Sequence, residues 1–529
     1  YVYNGATFTM TGGSIASNQA TYTGNYSIGG VFVANAANTN FIMTGGSIAS
    51  NSGYTAGGVY VVGVNGKVSL GGTAQIYSGN TANSKANNLY FANGSSVALV
   101  TSAFKSGAKI SVTRVNGEIT SGYGTYNTGV SSDTYFAVDN EAEYLTYETG
   151  SGTSAEAFVS SKSNATNWDW FISRSTSTGS VQTVKLYSDW TAQRDTTGFA
   201  VSNNTSGALL VPSNAKIILD LNGFNLDRNY TSATSNGFVI YVQGQLTIRD
   251  SKAGNAKITG GFSSSSGTAG GIYVYSGSLT LESGHIYNNK MSSSNGAGGV
   301  WLNSNTTFTM TGGYIDNNST TSSSAGAIWI NNQTASRFIM TGGRIQNNST
   351  TSTSHSGGVH VYSPGVLRLG GGAIIENNTS AGIPRNVYST DNATKYEIVE
   401  TITSAFHVGI TKTNNNYTNT SGLVFTTNWY TYSGGASPIG KFFSDDSMYD
   451  VVSAGSISQR EAAIWCIDGA KNWDEACAAS SNDGKQRTVT LYKNWEAGYH
   501  SSYTTTFASA LNGSYFSSGA LYIYGSMNI

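Results

Sequence analysis

Apolar and polar positions alternate in short bursts along this chain, and the bursts recur. One phrase runs Gly298-Gly299-Val300-Trp301-Leu302, then Phe308-Thr309-Met310-Thr311-Gly312-Gly313-Tyr314-Ile315-Asp316-Asn317-Asn318. It begins again as Gly326-Ala327-Ile328-Trp329-Ile330 and Phe338-Ile339-Met340-Thr341-Gly342-Gly343-Arg344-Ile345-Gln346-Asn347-Asn348. Val300 and Ile328 are 28 positions apart, and Phe308 and Phe338 are 30 apart. Each phrase holds three strand-like pieces, and each piece shows the period-2 alternation of a strand with one buried face. Three strands per copy, repeated every 28–31 residues, predict an all-β chain folded as a right-handed parallel β-helix, one copy per coil.

The columns formed by stacking the copies agree. The Phe-x-Met piece recurs as Phe8/Met10, Phe41/Met43, Val68/Leu70, Leu279/Leu281, Phe308/Met310, Phe338/Met340 and Leu367/Leu369, an interior column. The next piece supplies Ile15, Ile48, Ile76, Ile286, Ile315, Ile345 and Ile375. Three residues after that Ile stands Asn18, Asn51, Asn289, Asn318, Asn348 or Asn378; only the copy at Ile76 shifts it by one, to Asn80. Asn tolerates a left-handed corner, and its amide can bond the Asn of the next coil, so these residues are expected to serve as both corner and ladder. The Gly pairs fit corners where a Cβ would clash.

A longer repeat overlies the coils. Trp168 to Trp473 and Trp190 to Trp495 both span 305 positions, and Phe8 to Phe308 spans 300. Thr403-Ser404-Ala405-Phe406 matches Thr101-Ser102-Ala103-Phe104, and Phe442-Phe443 with Asp445 matches Tyr135-Phe136 with Asp139. The chain therefore reads as tandem modules. Residues 1–95 are the end of one β-helix, 96–160 a β-rich spacer or cap, and 161–392 a second β-helix with entry coils. Residues 393–462 are a second spacer or cap, and 463–529 begin a third module. Within the first spacer, Ala103 to Val112 reads as a hairpin; at the start of the next module, Asn167-Trp168-Asp169 reads as a core or cap Trp. Because the chain starts at Tyr1 and ends at Ile529 in mid-pattern, it is expected to be a stretch of a longer polypeptide.

Composition narrows the function classes. Charged residues are 10% of the chain and the formal net charge is −1, so no basic face for nucleic acid is predicted. Gly is abundant at 65 residues and Pro scarce at 4, which favours turn-dense β structure over a Pro-rich linker. No run of 18 apolar residues occurs, so no membrane span is predicted. Cys466 and Cys477, 11 positions apart, allow one disulfide or two thiols, and no paired-cysteine zinc motif is present. Asn-x-Ser/Thr triplets such as Asn348-Ser349-Thr350 arise by chance in so Asn/Ser/Thr-rich a chain.

The coils resemble those of right-handed β-helix surface proteins of bacteria, including the passenger regions of chlamydial polymorphic outer-membrane proteins. Gly298-Gly299-Val300 and Gly326-Ala327-Ile328 match that family's Gly-Gly-Ala-Ile type tetrapeptide loosely. Ile315-Asp316-Asn317-Asn318 and Ile345-Gln346-Asn347-Asn348 match its Phe-x-x-Asn tetrapeptide with Ile replacing Phe. The closer resemblance is to large repetitive adhesin-like β-helix proteins of bacterial cell surfaces. They share Met-Thr-Gly-Gly-x-Ile coils and an entry segment like Leu219-Asp220-Leu221-Asn222-Gly223. The resemblance implies an extracellular or cell-surface location and an adhesive or structural role. It does not imply a reaction, because such proteins share a scaffold.

Candidate chemistry is sparse. β-Helices can carry polysaccharide-cleaving carboxylates, and Asp316 and Glu376 would lie two coils apart, roughly 10 Å by strand spacing. The matching positions of the first module are Ala16, Ala49 and Tyr77, so such a site is no property of the repeat. No calcium nonapeptide or EF-hand loop occurs, and no cofactor or metal is expected. The middle residue of the Gly-Gly-Val strand is more informative: Phe32, Tyr60, Tyr90, Tyr273, Trp301, Trp329, His360 and Tyr388. With its neighbours pointing inward, this column should form an outward aromatic stripe, a contact surface for a fibre neighbour, another protein or glycans. The rival to that exposure is a loop folded over the stripe. An ice-binding face ranks last, because the column Thr9, Ile42, Ser69, Thr280, Thr309, Ile339, Arg368 is too irregular. The expectation is a non-enzymatic surface or filament protein, with a glycan-binding or polysaccharide-degrading β-helix as the alternative.

Overall fold

The computed structural model describes residues 1–114, 117–141, 143–149, 152–191, 208–252, 255–332, 336–412, 423–447, 449–455, 459–466, 487–488 and 527–528. It is a parallel β-solenoid of about 13 turns in all, 45% strand and 7% helix. The chain divides into two compact units, Tyr1–Ser180 and Val181–Ile529.

In the second unit the expected columns stand in register. The strands Ser278–Leu281, Thr307–Met310, Arg337–Met340 and Val366–Leu369 are consecutive members of a nine-stranded sheet. Phe308 pairs with Phe338, and their rings stack 4.8 Å apart. Ile286, Ile315, Ile345 and Ile375 pair in turn. All of these are fully buried, and each such side chain removed from water stabilises the coil by roughly 1.5–3 kcal/mol. The Gly-Gly strands form a third column, from Leu209–Val211 to Val387–Ser389. A Cβ on Gly298 would meet the Gly326 carbonyl oxygen at 2.4 Å, so neighbouring coils can approach here only without a side chain.

Sequence reading missed one element. Between the Ile strand and the Gly-Gly strand runs a further two-residue strand in each coil. Lys290–Met291, Ser319–Thr320, Ser349–Thr350 and Thr379–Ser380 belong to a small sheet of their own.

The Asn ladder forms, but the corner is a separate residue. Asn318 Nδ2 donates to Asn348 Oδ1 at 3.0 Å, and Asn348 Nδ2 to Asn378 Oδ1 at 2.8 Å. The left-handed corner falls one residue earlier, on Asn288, Asn317, Asn347 and Asn377, and on Ser17 and Ser50 in the first unit. The left-handed residues are exposed while their successors Asn289, Asn318, Asn348 and Asn378 are buried in the wall, so the two tasks fall on neighbouring residues.

The first unit stacks Thr7–Ala16, Asn40–Ala49 and Lys67–Gly72 in the same way. The segment expected to be a hairpin is instead a further coil. Ala98–Phe104 pairs parallel with Lys67–Gly72, and Lys109–Thr113 pairs parallel with Leu89–Phe91. The Lys105–Ala108 turn has hairpin chemistry, but it carries the chain between two walls of the solenoid. An antiparallel sheet of Gly117–Glu118, Tyr144–Thr149 and Glu156–Ser161 follows. The helix Asn164–Thr178 buries Trp168 completely. Trp473, Cys477 and Trp495 lie outside the described residues.

Candidate functional site

The Gly-Gly-Val strand directs its first and third side chains inward: Val59 and Val61, Val300 and Leu302, and Ile328 and Ile330 are all buried in the coil. Its middle residue therefore points out, and middle residues of neighbouring coils stand side by side. In the first unit Phe32 and Tyr60 rings lie 6.0 Å apart and Tyr60 and Tyr90 rings 5.4 Å apart. Tyr1 and Tyr26 close on Phe32 at 4.9 and 5.5 Å. In the second unit Tyr273 meets Trp301 at 5.2 Å, Trp329 meets His360 at 4.5 Å, and His360 meets Tyr388 at 5.5 Å.

Exposure differs sharply along this column. Phe32, Tyr60, Tyr90, Tyr273 and Tyr388 are half-buried. Trp301, Trp329 and His360 are 7%, 4% and 0% exposed, so the stripe is not open over that stretch as the sequence led us to expect. A loop does fold over it. Ala269, Ala297 and Ala325 bridge one another and pack with Trp301 and Trp329, while His355 and Tyr362 stack on Trp329 at 5.4 and 5.8 Å.

From Tyr60 to Tyr90 and from Trp301 to Tyr388 the exposure goes with the length of the arm between the ladder Asn and the Gly-Gly strand. Val300 follows Asn289 by 11 positions, Ile328 follows Asn318 by 10, and Val359 follows Asn348 by 11. Val59 follows Asn51 by 8, Leu89 follows Asn80 by 9, and Val387 follows Asn378 by 9. The long arms of these coils accompany the sealed Trp301, Trp329 and His360, and the short ones leave Tyr60, Tyr90 and Tyr388 half open; Phe32 departs from this, half-buried although Val31 follows Asn18 by 13 positions. His360 is held under such an arm, and neither ring nitrogen meets a hydrogen-bond partner among the described residues. Burial, with His355 and Arg385 nearby, pushes its pKa well below the usual histidine value.

The column of rings ends at Tyr90. The next strand places Thr113 beside it, and the loss of ring volume opens a cleft of about 960 Å³. Tyr54, Tyr90, Tyr144, Lys85, Arg114 and Glu143 are among its walls. Sequence reasoning missed this cleft, because Tyr54 and Tyr144 lie outside any repeating column.

At the same end the ladder stops on an acid. Asp139 accepts the Asn88 backbone and side-chain N–H groups at 2.8 and 2.5 Å. Asp445 does the same for Asn386 and also accepts the Thr411 hydroxyl at 2.7 Å. Burial holds the Asp445 carboxyl pKa above its ordinary value, although the bonds from Asn386 and Thr411 and the nearby Arg385 offset part of the rise.

The carboxylates weighed as a catalytic pair are each occupied. Asp316 is 3.1 Å from His285 Nδ1, and that ring lies flat on Tyr314 at 4.4 Å. Glu376 accepts from Arg344 at 2.7 Å, with His407 at 3.8 Å. Among the described residues no group of three or more His, Cys, Asp or Glu could hold a metal ion. Nor is any helix among them long and apolar enough to cross a membrane. Comparison of the chain with known protein families, curated proteins and solved structures finds no match.

Proposed function

We propose that this chain is a non-enzymatic extracellular protein of a cell surface or filament, built to hold binding surface on a stiff support. The observation that carries the reading is the unbroken register of like residues within the second unit. There one sheet passes strand by strand from Val181–Lys185 to Thr426–Thr427. Bending such a unit would break backbone and Asn bonds in many coils at once, so it resists bending. The low charge and the Ser, Thr and Asn cover fit a passive, hydrated surface. Immunogold labelling and protease shaving of intact producing cells test the location. The reading predicts label and cleavage at the outside, and a protein found only after lysis would refute it.

A second reading, glycan adhesion, is favoured by the half-open rings of Phe32, Tyr60 and Tyr90. Polysaccharide cleavage is the rival within it. Assay of reducing ends after incubation with plant and host polysaccharides is expected to show none released, and sustained release would install the enzyme reading instead.

A further inference from the structure

We propose that the cleft beside Tyr90 in the first unit binds a neutral oligosaccharide chain, with Tyr54, Tyr90 and Tyr144 as its stacking walls. The proposal rests on the adhesive reading and assigns it a site.

The cleft is a consequence of the fold. Rings fill the outward column through Tyr90, and Thr113 then takes the paired position. Thr113 turns its hydroxyl to Asp139, so it does not fill the space a ring would occupy. Tyr54 comes from the short arm, and Tyr144 from the antiparallel sheet that follows the coils. The volume of about 960 Å³ falls within the range of small-molecule sites, roughly 300–1,000 Å³.

In the second unit a cation stands over the corresponding ring. There Thr411 follows Tyr388 in the same way. Three residues before Tyr388, however, stands Arg385, and its guanidinium lies 5.0 Å from the centre of the Tyr388 ring. The equivalent residue of the first unit is Asn87, two positions before Leu89 as Arg385 is before Val387. An amide that short places no cation over Tyr90, and its ring remains a wall of the cleft.

Charge decides the class of occupant. The cleft is lined by two cations, Lys85 and Arg114, and two carboxylates, Asp139 and Glu143, so its formal charge cancels. Arg114 is already turned to the carbonyls of Ser96 and Gly94, and Asp139 to the ladder. That leaves no cation surplus for an acidic polymer. A saccharide fits what remains, because its C–H faces stack on aromatic rings and its hydroxyls bond exposed groups such as Asn83, Asn140 and Lys85. The neighbouring rings, tilted to one another at 5.4–6.0 Å, extend the same kind of surface away from the cleft along Tyr60 and Phe32.

The test is calorimetric titration of the whole chain with hexasaccharides of β-1,4-linked glucose, N-acetylglucosamine and xylose. At least one is expected to bind, with little change in affinity when salt is raised. Tyr54→Ala and Tyr90→Ala should each weaken it tenfold or more at unchanged melting temperature, while Tyr90→Phe retains it. Binding that survives both alanine variants would overturn this site and leave glycan adhesion standing elsewhere on the chain. Binding that collapses with salt would overturn the neutral occupant, and no binding of any of the three would remove site and glycan reading together.

Discussion

Asn386 gives both its backbone N–H and its side-chain amide to one carboxylate, that of Asp445, at 2.7 and 2.5 Å. Each Asn in the ladder passes its donors forward and receives on its Oδ1 from behind. The last one needs a group that only accepts, and an ionised carboxylate is that group. Asp445→Ala would strand the buried donors of Asn386 and the hydroxyl of Thr411. The expected loss is about 2–4 kcal/mol, read as a lowered denaturation midpoint. Asp445→Asn should lose less, because one acceptor remains.

A break in the middle of the ladder should be as severe. Asn348 is fully buried. It accepts from the backbone and side chain of Asn318, and donates to Asn378 Oδ1 and the Ile315 carbonyl. Asn348→Ala is expected to cost about 2–4 kcal/mol. Asn348→Asp should be worse at pH 7 than at pH 4, since the ionised form places a charge against carbonyl oxygens that the amide had satisfied. Melting curves of the variants at the two pH values check both statements.

His360 should make the second unit acid-sensitive. Its folded pKa lies below the ordinary 6.5, so between the two values the unfolded chain binds the extra proton. Stability from this site is complete above pH 6.5 and falls as the pH drops, by at most about 1.4 kcal/mol per pH unit. The groups facing it are His355, Arg385, Trp329, Tyr362 and Tyr388, and none offers it a counter-charge. His360→Phe keeps the stacking and removes two unpartnered nitrogens. The variant should match or exceed the parent's melting temperature at pH 7 and flatten its fall between pH 6.5 and 4.5. The slope that remains belongs to His355, whose pKa burial also lowers.

Lys412 titrates in the same sense, in a window at higher pH. It is 2% exposed and donates to the carbonyls of Asn392 and Thr394 and to Ser389 Oγ. Burial pulls its pKa down to about 8. The unfolded lysine holds its proton up to about 10.4, so this residue's contribution to stability rises as pH climbs through that window. The rise is at most about 3 kcal/mol. Lys412→Met should abolish that rise in a series of melts from pH 7 to 10.5.

How much of this could be read in advance depends on the residue. The Phe308–Phe338 stack and the Asn318–Asn348 bond were legible because every coil repeats them. The left-handed corner was placed one residue late, since Asn317 and Asn318 are the same residue type and only the backbone separates their tasks. The covering arms were not legible: Ser292-Ser293-Ser294 and Thr320-Thr321-Ser322 carry no apolar period. The terminal acids were visible as matching positions, but Asp139 acts on Asn88 across 51 residues and Asp445 on Asn386 across 59, a pairing no local pattern encodes.

The covering arms, on this account, seal the aromatic column over Trp301, Trp329 and His360 and leave it open at Tyr60 and Tyr90, and hydroxyl-radical footprinting read by mass spectrometry tests that most directly. Tyr54, Tyr60 and Tyr90 should be oxidised several-fold faster than Trp301 and Trp329, although indole is the more reactive ring in a free chain. Oxidation of Trp301 and Trp329 at the rate of the unfolded protein, or protection of Tyr60 and Tyr90 equal to theirs, would contradict it.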